Sequence, residues 1–184
     1  MKSKNLILTS LLLAMAYLIN QIFPPFFMAM KPDVFLSIMF IVLLLNENTM
    51  KNAILIGFTS GVLTAFATTF PGGQIPNFVE KIFTALFVYF IIKIIKNKFN
   101  NNLKVVTISI LGTIFSGFIF LLLCYILVGL PAQFNTLFLT VVIPATFFNT
   151  IWTLFLYKII IKSLILSRSI WKRKPSDNIF NIYH

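Results

Sequence analysis

Apolar residues occur in six long runs along the chain, separated by short breaks rich in proline, glycine and asparagine. A helix needs about 20 mostly apolar residues to cross the hydrocarbon core of a bilayer, where it satisfies its own backbone hydrogen bonds. The pattern therefore predicts an all-α integral membrane protein, with residues 1–184 forming a single domain of six transmembrane helices. The predicted helices span residues 6–23, 33–45, 53–70, 78–95, 105–130 and 136–161.

The positions of the basic residues predict the orientation of these helices. With the N-terminus in the cytoplasm, all of the 15 Lys and Arg residues except Lys31 and Lys81 fall on the inner side. By the positive-inside rule both termini are then cytoplasmic, and residues from about 162 to 184 form a basic cytoplasmic tail. The same bias explains the net charge of +11 through topology and the lipid bilayer, without a nucleic-acid partner.

Composition narrows the class of protein further. Hydrophobic residues make up 59% of the chain and charged residues only 10%, against about 25% charged in a soluble domain. One histidine, one cysteine and four carboxylates are too few for most metal-dependent or acid/base catalysis, so we predict no enzyme, no metal and no cofactor. The phosphate-binding loop of ATPases is also absent from the sequence.

The two basic residues on the outer side each have an acid nearby, Asp33 for Lys31 and Glu80 for Lys81. Ordinary interfacial charges are one interpretation. However, counted from Pro32 to Leu45, the second predicted helix has about 14 residues and covers only about 21 Å of a bilayer about 30 Å thick. We therefore expect it to begin below the outer interface, with residues 26–33 folding inward over a pocket.

The loop of residues 68–77 reads Thr-Thr-Phe-Pro-Gly-Gly-Gln-Ile-Pro-Asn. Asn77 followed by Glu80 predicts a reciprocal cap at the start of the fourth helix, which is the structural alternative to a functional role for Glu80. Lys81 shares a helix face with Asn77 and Thr84, and a cation there needs water, an acid or an anionic ligand.

The sixth predicted helix contains Pro144, which should kink it near Thr140. A polar stripe follows at helical spacing, and we expect it either to join helices or, at Asn149, to shape a polar cavity. Its members are Thr146, Asn149, Thr150 and Thr153.

Small residues spaced four apart predict close contacts between helices. Gly57, Gly61 and Ala65 form such a ridge in the third helix, where internal packing is the expected role. Ser10 and Ala14 repeat the spacing in the first helix, where an outward-facing ridge would receive a partner helix.

Several of these motifs, in this order and spacing, resemble the bacterial TrpP-type tryptophan transporters. Glu80 stands where that family is expected to have an aspartate, so the charge is kept. The motifs are Met30-Lys31-Pro32-Asp33, the stretch of residues 68–77, Glu80-Lys81, Pro144-Ala145 and Asn149-Thr150.

The resemblance implies a protein similar to the S components of energy-coupling factor (ECF) transporters. Such a subunit binds a nutrient, here tryptophan, in the bacterial cell membrane. A transmembrane coupling subunit and two ATPases are its implied partners, and Ser10 and Ala14 its implied docking surface. A stand-alone ion-coupled amino-acid carrier and a non-transporting structural subunit are the alternatives.

An amino acid carries a carboxylate and an ammonium close together, so a cation and an acid in one pocket suit it. We expect Lys81 to bind the carboxylate, Glu80 or Asp33 the ammonium, and neutral amides the remaining groups. The candidate substrate-binding residues are Lys31, Asp33, Gln74, Asn77, Glu80, Lys81 and Asn149.

Overall fold

A computed structural model of the chain describes residues 3–22, 33–46, 49–95 and 100–173. Within these ranges the protein is almost entirely helical and contains no strand, which confirms the predicted all-α class. The helices are α1 (Ser3–Ile22), α2 (Val34–Leu45), α3 (Met50–Ala67), α4 (Gln74–Ile95), α5 (Asn101–Leu127), α6 (Phe134–Leu137) and α7 (Ile143–Arg173).

A π-helical segment, Phe138–Val142, joins α6 to α7, so that these three elements form one continuous rod. The N–H of Ile143 donates to the carbonyl oxygen of Phe138, five residues earlier. The irregularity therefore lies where Pro144 predicts a kink, but it takes the form of a widened turn. The rod also continues to Arg173, well beyond the predicted end at residue 161.

Three helical stretches are long and apolar enough to cross a membrane: Met50–Ala67, Asn101–Leu127 and Phe134–Leu166. Two shorter apolar stretches, Leu6–Ile22 and Val34–Leu45, accompany them. α4 is also long, but it carries Glu80, Lys81 and Lys93. These apolar helices are typical of a membrane protein.

α2 forms the centre of the bundle. It contacts α1, α3, α4, α5 and α7, and every residue from Val34 to Leu43 is buried. Phe35 and Phe40 fill the space around it, and the ring of Phe40 lies where a side chain on Gly112 of α5 would stand. The other helices surround α2 in the order α1, α3, α4, α5 and α7, with each packing on the next.

α3 and α4 approach each other closely along the ridge that begins at Gly57. A Cβ atom added to Gly57 would lie 2.8 Å from the Cβ of Ala85 and 3.0 Å from the carbonyl oxygen of Lys81. One added to Gly61 would lie 2.6 Å from the carbonyl oxygen of Phe78. Ala65, the next member of the ridge, is half-buried. The two glycines thus face α4 and bring its backbone against α3.

Candidate functional site

Three charged side chains meet inside the bundle and form what we call the triad: Asp33, Glu80 and Lys81. The ammonium of Lys81 lies 3.0 Å from Oδ2 of Asp33 and also contacts Oε1 of Glu80. Glu80 and Lys81 are each only 1% exposed. Because Asp33 is 48 residues from Lys81, the fold itself brings these charges together.

Asp33 holds three parts of the structure at once. Its Oδ1 accepts a hydrogen bond of 3.0 Å from the N–H of Leu36 and so caps the N-terminus of α2. Its backbone N–H donates to Oδ1 of Asn149 at 2.9 Å. With the ion pair to Lys81, this residue links the first turn of α2 to both α4 and α7.

Both carboxylate oxygens of Glu80 have partners inside the protein. While Oε1 faces Lys81, Oε2 accepts hydrogen bonds from Ser116 at 2.8 Å and from Thr84 at 3.2 Å. A buried carboxylate is tolerated when its charge is paired and its lone pairs are satisfied. These contacts hold the carboxylate between α4 and α5.

The triad carries two carboxylates and one ammonium, so its formal charge is −1 when all three are ionised. The side chain of Asp33 is 37% exposed, whereas those of Glu80 and Lys81 are 2% exposed. A small molecule would therefore reach the triad from the side of Asp33. The arrangement can receive a cation, or a zwitterion whose ammonium meets an acid and whose carboxylate meets the remaining N–H of Lys81.

A cluster of hydroxyl groups joins three helices beside the triad. Ser109 of α5 donates to Thr153 of α7 at 3.2 Å. The hydroxyl of Thr153 lies 2.9 Å from that of Ser37 in α2 and 2.6 Å from the carbonyl oxygen of Asn149. Among the predicted polar stripe, Thr146, Asn149 and Thr153 are buried, while Thr150 is half-buried and donates to the carbonyl oxygen of Thr146.

The predicted cap at Asn77 is wrong, because α4 begins at Gln74 and Asn77 lies in its first turn. The backbone N–H of Asn77 donates to the carbonyl oxygen of Gly73 at 2.9 Å, as a helical residue does. The side-chain Nδ2 of Asn77 donates instead to the hydroxyl of Thr68 at 2.7 Å. Glu80 consequently caps no helix and is free for its contacts with Lys81 and Ser116.

The turn before α4 is built from Pro71 and Gly72. The N–H of Gly73 donates to the carbonyl oxygen of Phe70 at 2.9 Å, and Gly72 has a φ of +72°. Proline followed by a residue with positive φ is typical of a type II turn. A Cβ on Gly72 would also lie 2.7 Å from a methyl group of Val128, so the turn packs against the end of α5.

The structure thus brings together Asp33, Glu80, Lys81 and Asn149 from the predicted set. Gln74 is exposed, and Asn77 fastens the loop. Lys31 and most of the segment 26–33 lie outside the described residues. Ser10 and Ala14 are both exposed on α1.

Sequence reasoning missed the role of Ser116. A serine in an apolar run of the sequence carries no sign of which side chain it meets. Its hydrogen bond to Glu80 spans 36 residues and becomes visible only when α4 and α5 are placed side by side.

Within the described residues, no group of three or more His, Cys, Asp or Glu side chains could hold a metal ion.

Comparison with known proteins places this chain in a family. The family model for the tryptophan transporter TrpP matches residues 2–165. A probable tryptophan transport protein of Clostridium acetobutylicum is 43% identical over 164 residues, which cover 89% of this chain and 95% of that protein. Proteins of the same name from Clostridium perfringens and Bacillus subtilis are 42% and 38% identical, over 88% and 92% of this chain and 93% and 96% of their own lengths.

No solved structure matches the chain significantly. The relatives are named as transport proteins, and this confirms the prediction that the chain is not an enzyme. With the family model covering most of its length, the chain belongs to the tryptophan transporter TrpP family.

Proposed function

We propose that this protein binds tryptophan from outside the cell and serves in its uptake, as a six-helix subunit of the bacterial cell membrane with both termini in the cytoplasm. The names of its relatives support the substrate. The buried triad, open on the side of Asp33, is the observation that carries the proposal. A zwitterion fits two acids and one cation, because each of its charges finds an opposite one.

In this proposal the substrate ammonium is bound by Asp33, the exposed acid of the triad. The substrate carboxylate takes the remaining N–H of Lys81 and the amide Nδ2 of Asn149, whose Oδ1 accepts a hydrogen bond from the backbone N–H of Asp33. Glu80 holds Lys81 in place from the buried side. Lys31 and Gln74 stay candidates for the entrance, and Asn77 acts through the loop.

Asp33→Asn tests this arrangement because asparagine keeps the cap on Leu36 but removes the charge. Losing one charged hydrogen bond costs about 1.5 to 3 kcal/mol, which is roughly 10- to 150-fold in affinity for tryptophan. Indole-3-propionate, which has no ammonium, should bind the variant at least as well as the parent, because the substitution also removes a negative charge beside Lys81. Calorimetry with both ligands makes the comparison. Equal losses for the two ligands would contradict an ammonium site at Asp33.

We further propose that the chain works as an S component of an ECF importer, with a transmembrane coupling subunit and two ATPases supplying the energy. The absence of a phosphate-binding loop from the sequence supports this division of labour. The exposed Ser10 and Ala14 on α1 offer a surface for the coupling subunit. Ser10→Leu and Ala14→Leu should prevent co-purification with that subunit and leave tryptophan binding unchanged.

A stand-alone ion-coupled carrier is the second candidate, and the formal charge of the triad favours it. With a bound zwitterion, the site would still carry −1, which a proton or sodium ion could neutralise. Reconstitution of the purified chain in liposomes separates the two candidates. Concentrative tryptophan uptake driven by a proton or sodium gradient alone would overturn the S-component proposal. A chain that binds no tryptophan at all would instead indicate a structural subunit.

A further inference from the structure

If tryptophan binds at the triad, as proposed above, its indole needs an apolar surface about 6 Å from its charged groups. That distance is roughly one helical turn. The direction of that surface follows from Ser116, which contacts Glu80 at 2.8 Å. Phe120 lies four residues further along α5, on the same face as Ser116 and one turn closer to the end of the helix. That end packs against the α3–α4 loop, through Val128 and Gly72.

A second ring meets Phe120 at this place. The ring of Phe70, in the α3–α4 loop, lies edge-on to Phe120 with centroids 5.6 Å apart and planes at 81°. Both residues are only half-buried, so each keeps part of its surface accessible. We infer that Phe70 and Phe120 form the aromatic wall that contacts the indole and selects an aromatic side chain.

The loop is built to hold Phe70 in this position. The Pro71-Gly72 turn is closed by the hydrogen bond from Gly73 to the carbonyl oxygen of Phe70. The backbone N–H of Phe70 donates to the hydroxyl of Thr68 at 3.3 Å, and the same hydroxyl accepts from Asn77. Asn77 is thereby a positioning residue, one turn before Glu80 and Lys81 on α4.

The other aromatic rings of the described core are less suitable. Phe35 and Phe40 are fully buried. The ring of Phe35 packs against Tyr17, and the ring of Phe40 fills the space over Gly112. Phe87 and Phe115 stack on each other at 4.0 Å. Phe118 lies two residues from both Ser116 and Phe120, which places it on the opposite face of α5, where it is 43% exposed.

Phe118→Leu therefore supplies a matched control for Phe120→Leu, on the same helix and with the same change in side chain. An aromatic contact contributes about 0.5 to 1.5 kcal/mol beyond its buried area, which corresponds to about 2- to 12-fold in affinity. Phe120→Leu and Phe70→Leu should each weaken tryptophan binding by about that factor, measured by calorimetry on the purified full chain. Phe118→Leu should change it less than twofold.

A ligand with a larger indole substituent separates direct contact with Phe120 from a structural effect of the substitution. If Phe120 touches the indole, 5-bromotryptophan should lose less affinity than tryptophan in Phe120→Leu, because bromine fills part of the vacated space. Should Phe120→Leu fail to fold, Phe70→Leu gives the same comparison from a loop whose turn is held by backbone contacts.

The inference is overturned if both leucine variants bind tryptophan like Phe118→Leu, or if both ligands weaken by the same factor. In that case the proposed function can still stand without this wall. It does so if the parent chain binds tryptophan and Asp33→Asn loses that binding. A parent chain that binds no tryptophan refutes the function itself.

Discussion

Gly61→Ala tests whether glycine sets the distance between α3 and α4. The added Cβ would lie 2.6 Å from the carbonyl oxygen of Phe78, whereas unstrained carbon–oxygen contacts begin at about 3.3 Å. The two backbones would have to separate by about 0.7 Å locally. Overpacking of this kind costs about 1 to 3 kcal/mol.

The sign of the effect makes this a strict test. Alanine is a better helix former than glycine by about 1 kcal/mol, so without a clash the substitution should stabilise the protein. We expect the upper end of the overpacking range because the obstacle is a backbone atom that cannot rotate away. The net result is a loss of about 2 kcal/mol, seen as a lower unfolding temperature in detergent. Tryptophan binding should fall as well, since α4 carries Lys81.

Gly117→Ala provides the matched comparison in α5. There the new Cβ would meet a methyl group of Val142 at 2.6 Å, which is a side-chain obstacle. Val142→Ala should therefore rescue Gly117→Ala, whereas Phe78→Ala should not rescue Gly61→Ala. A raised unfolding temperature in Gly61→Ala, or its rescue by Phe78→Ala, would show that the carbonyl oxygen of Phe78 does not limit the approach of the two helices.

Two further predictions concern the polar interior, and both are read from thermal unfolding. Glu80→Gln removes one partner of a buried ion pair and should lower the free energy of unfolding by at least about 2 kcal/mol. Ser116→Ala should lower it by only about 1 kcal/mol, and the opposite order would argue against the ion pair. Thr153→Val breaks contacts among three helices and should cost about 1 kcal/mol. Thr150 donates to a carbonyl oxygen of its own helix, so Thr150→Val should be nearly neutral, and equal effects of the two valines would contradict the inter-helix role.

The helices could be predicted from the sequence because their signals are local. Apolar runs and their proline and glycine breaks place each helix within a few residues, as for the predicted 33–45 and the observed Val34–Leu45. Asp33 could also be recognised at the start of that helix. The greatest difference lies at the end of α7, where lysine and arginine residues suggested a tail although the helix continues.

The start of α4 shows how a local signal can mislead. Asn77 and Glu80 have the spacing of a reciprocal cap, but Pro76 already lies in the first turn, where a missing N–H needs no partner. The helix can therefore begin at Gln74. A polar side chain beside an apolar run looks the same whether it caps a helix or reaches back to a loop hydroxyl.

The ion pair between Asp33 and Lys81 could not be predicted, although both residues were expected to lie in one pocket. Adjacency in sequence pairs Lys31 with Asp33 and Glu80 with Lys81. The fold keeps the second pair and also joins Asp33, at the start of α2, to Lys81 of α4. The sequence predicts a substrate carboxylate as the partner of Lys81, whereas in the structure its ammonium already has two carboxylate partners within the protein. Contacts over such separations depend on how helices pack, which a single sequence does not specify.

The burial of α2 has a consequence for how the protein responds to its lipid surroundings. Its 12 residues cover only about 18 Å, far less than a hydrocarbon core of about 30 Å. A helix that met lipid at this length would deform the bilayer or tilt its neighbours. Because α2 is enclosed by other helices, changes in acyl-chain length act on α3, α5 and the α6–α7 rod. We therefore expect the height of Asp33 relative to Lys81, and with it the proposed affinity for tryptophan, to change little between bilayers of short and long lipids.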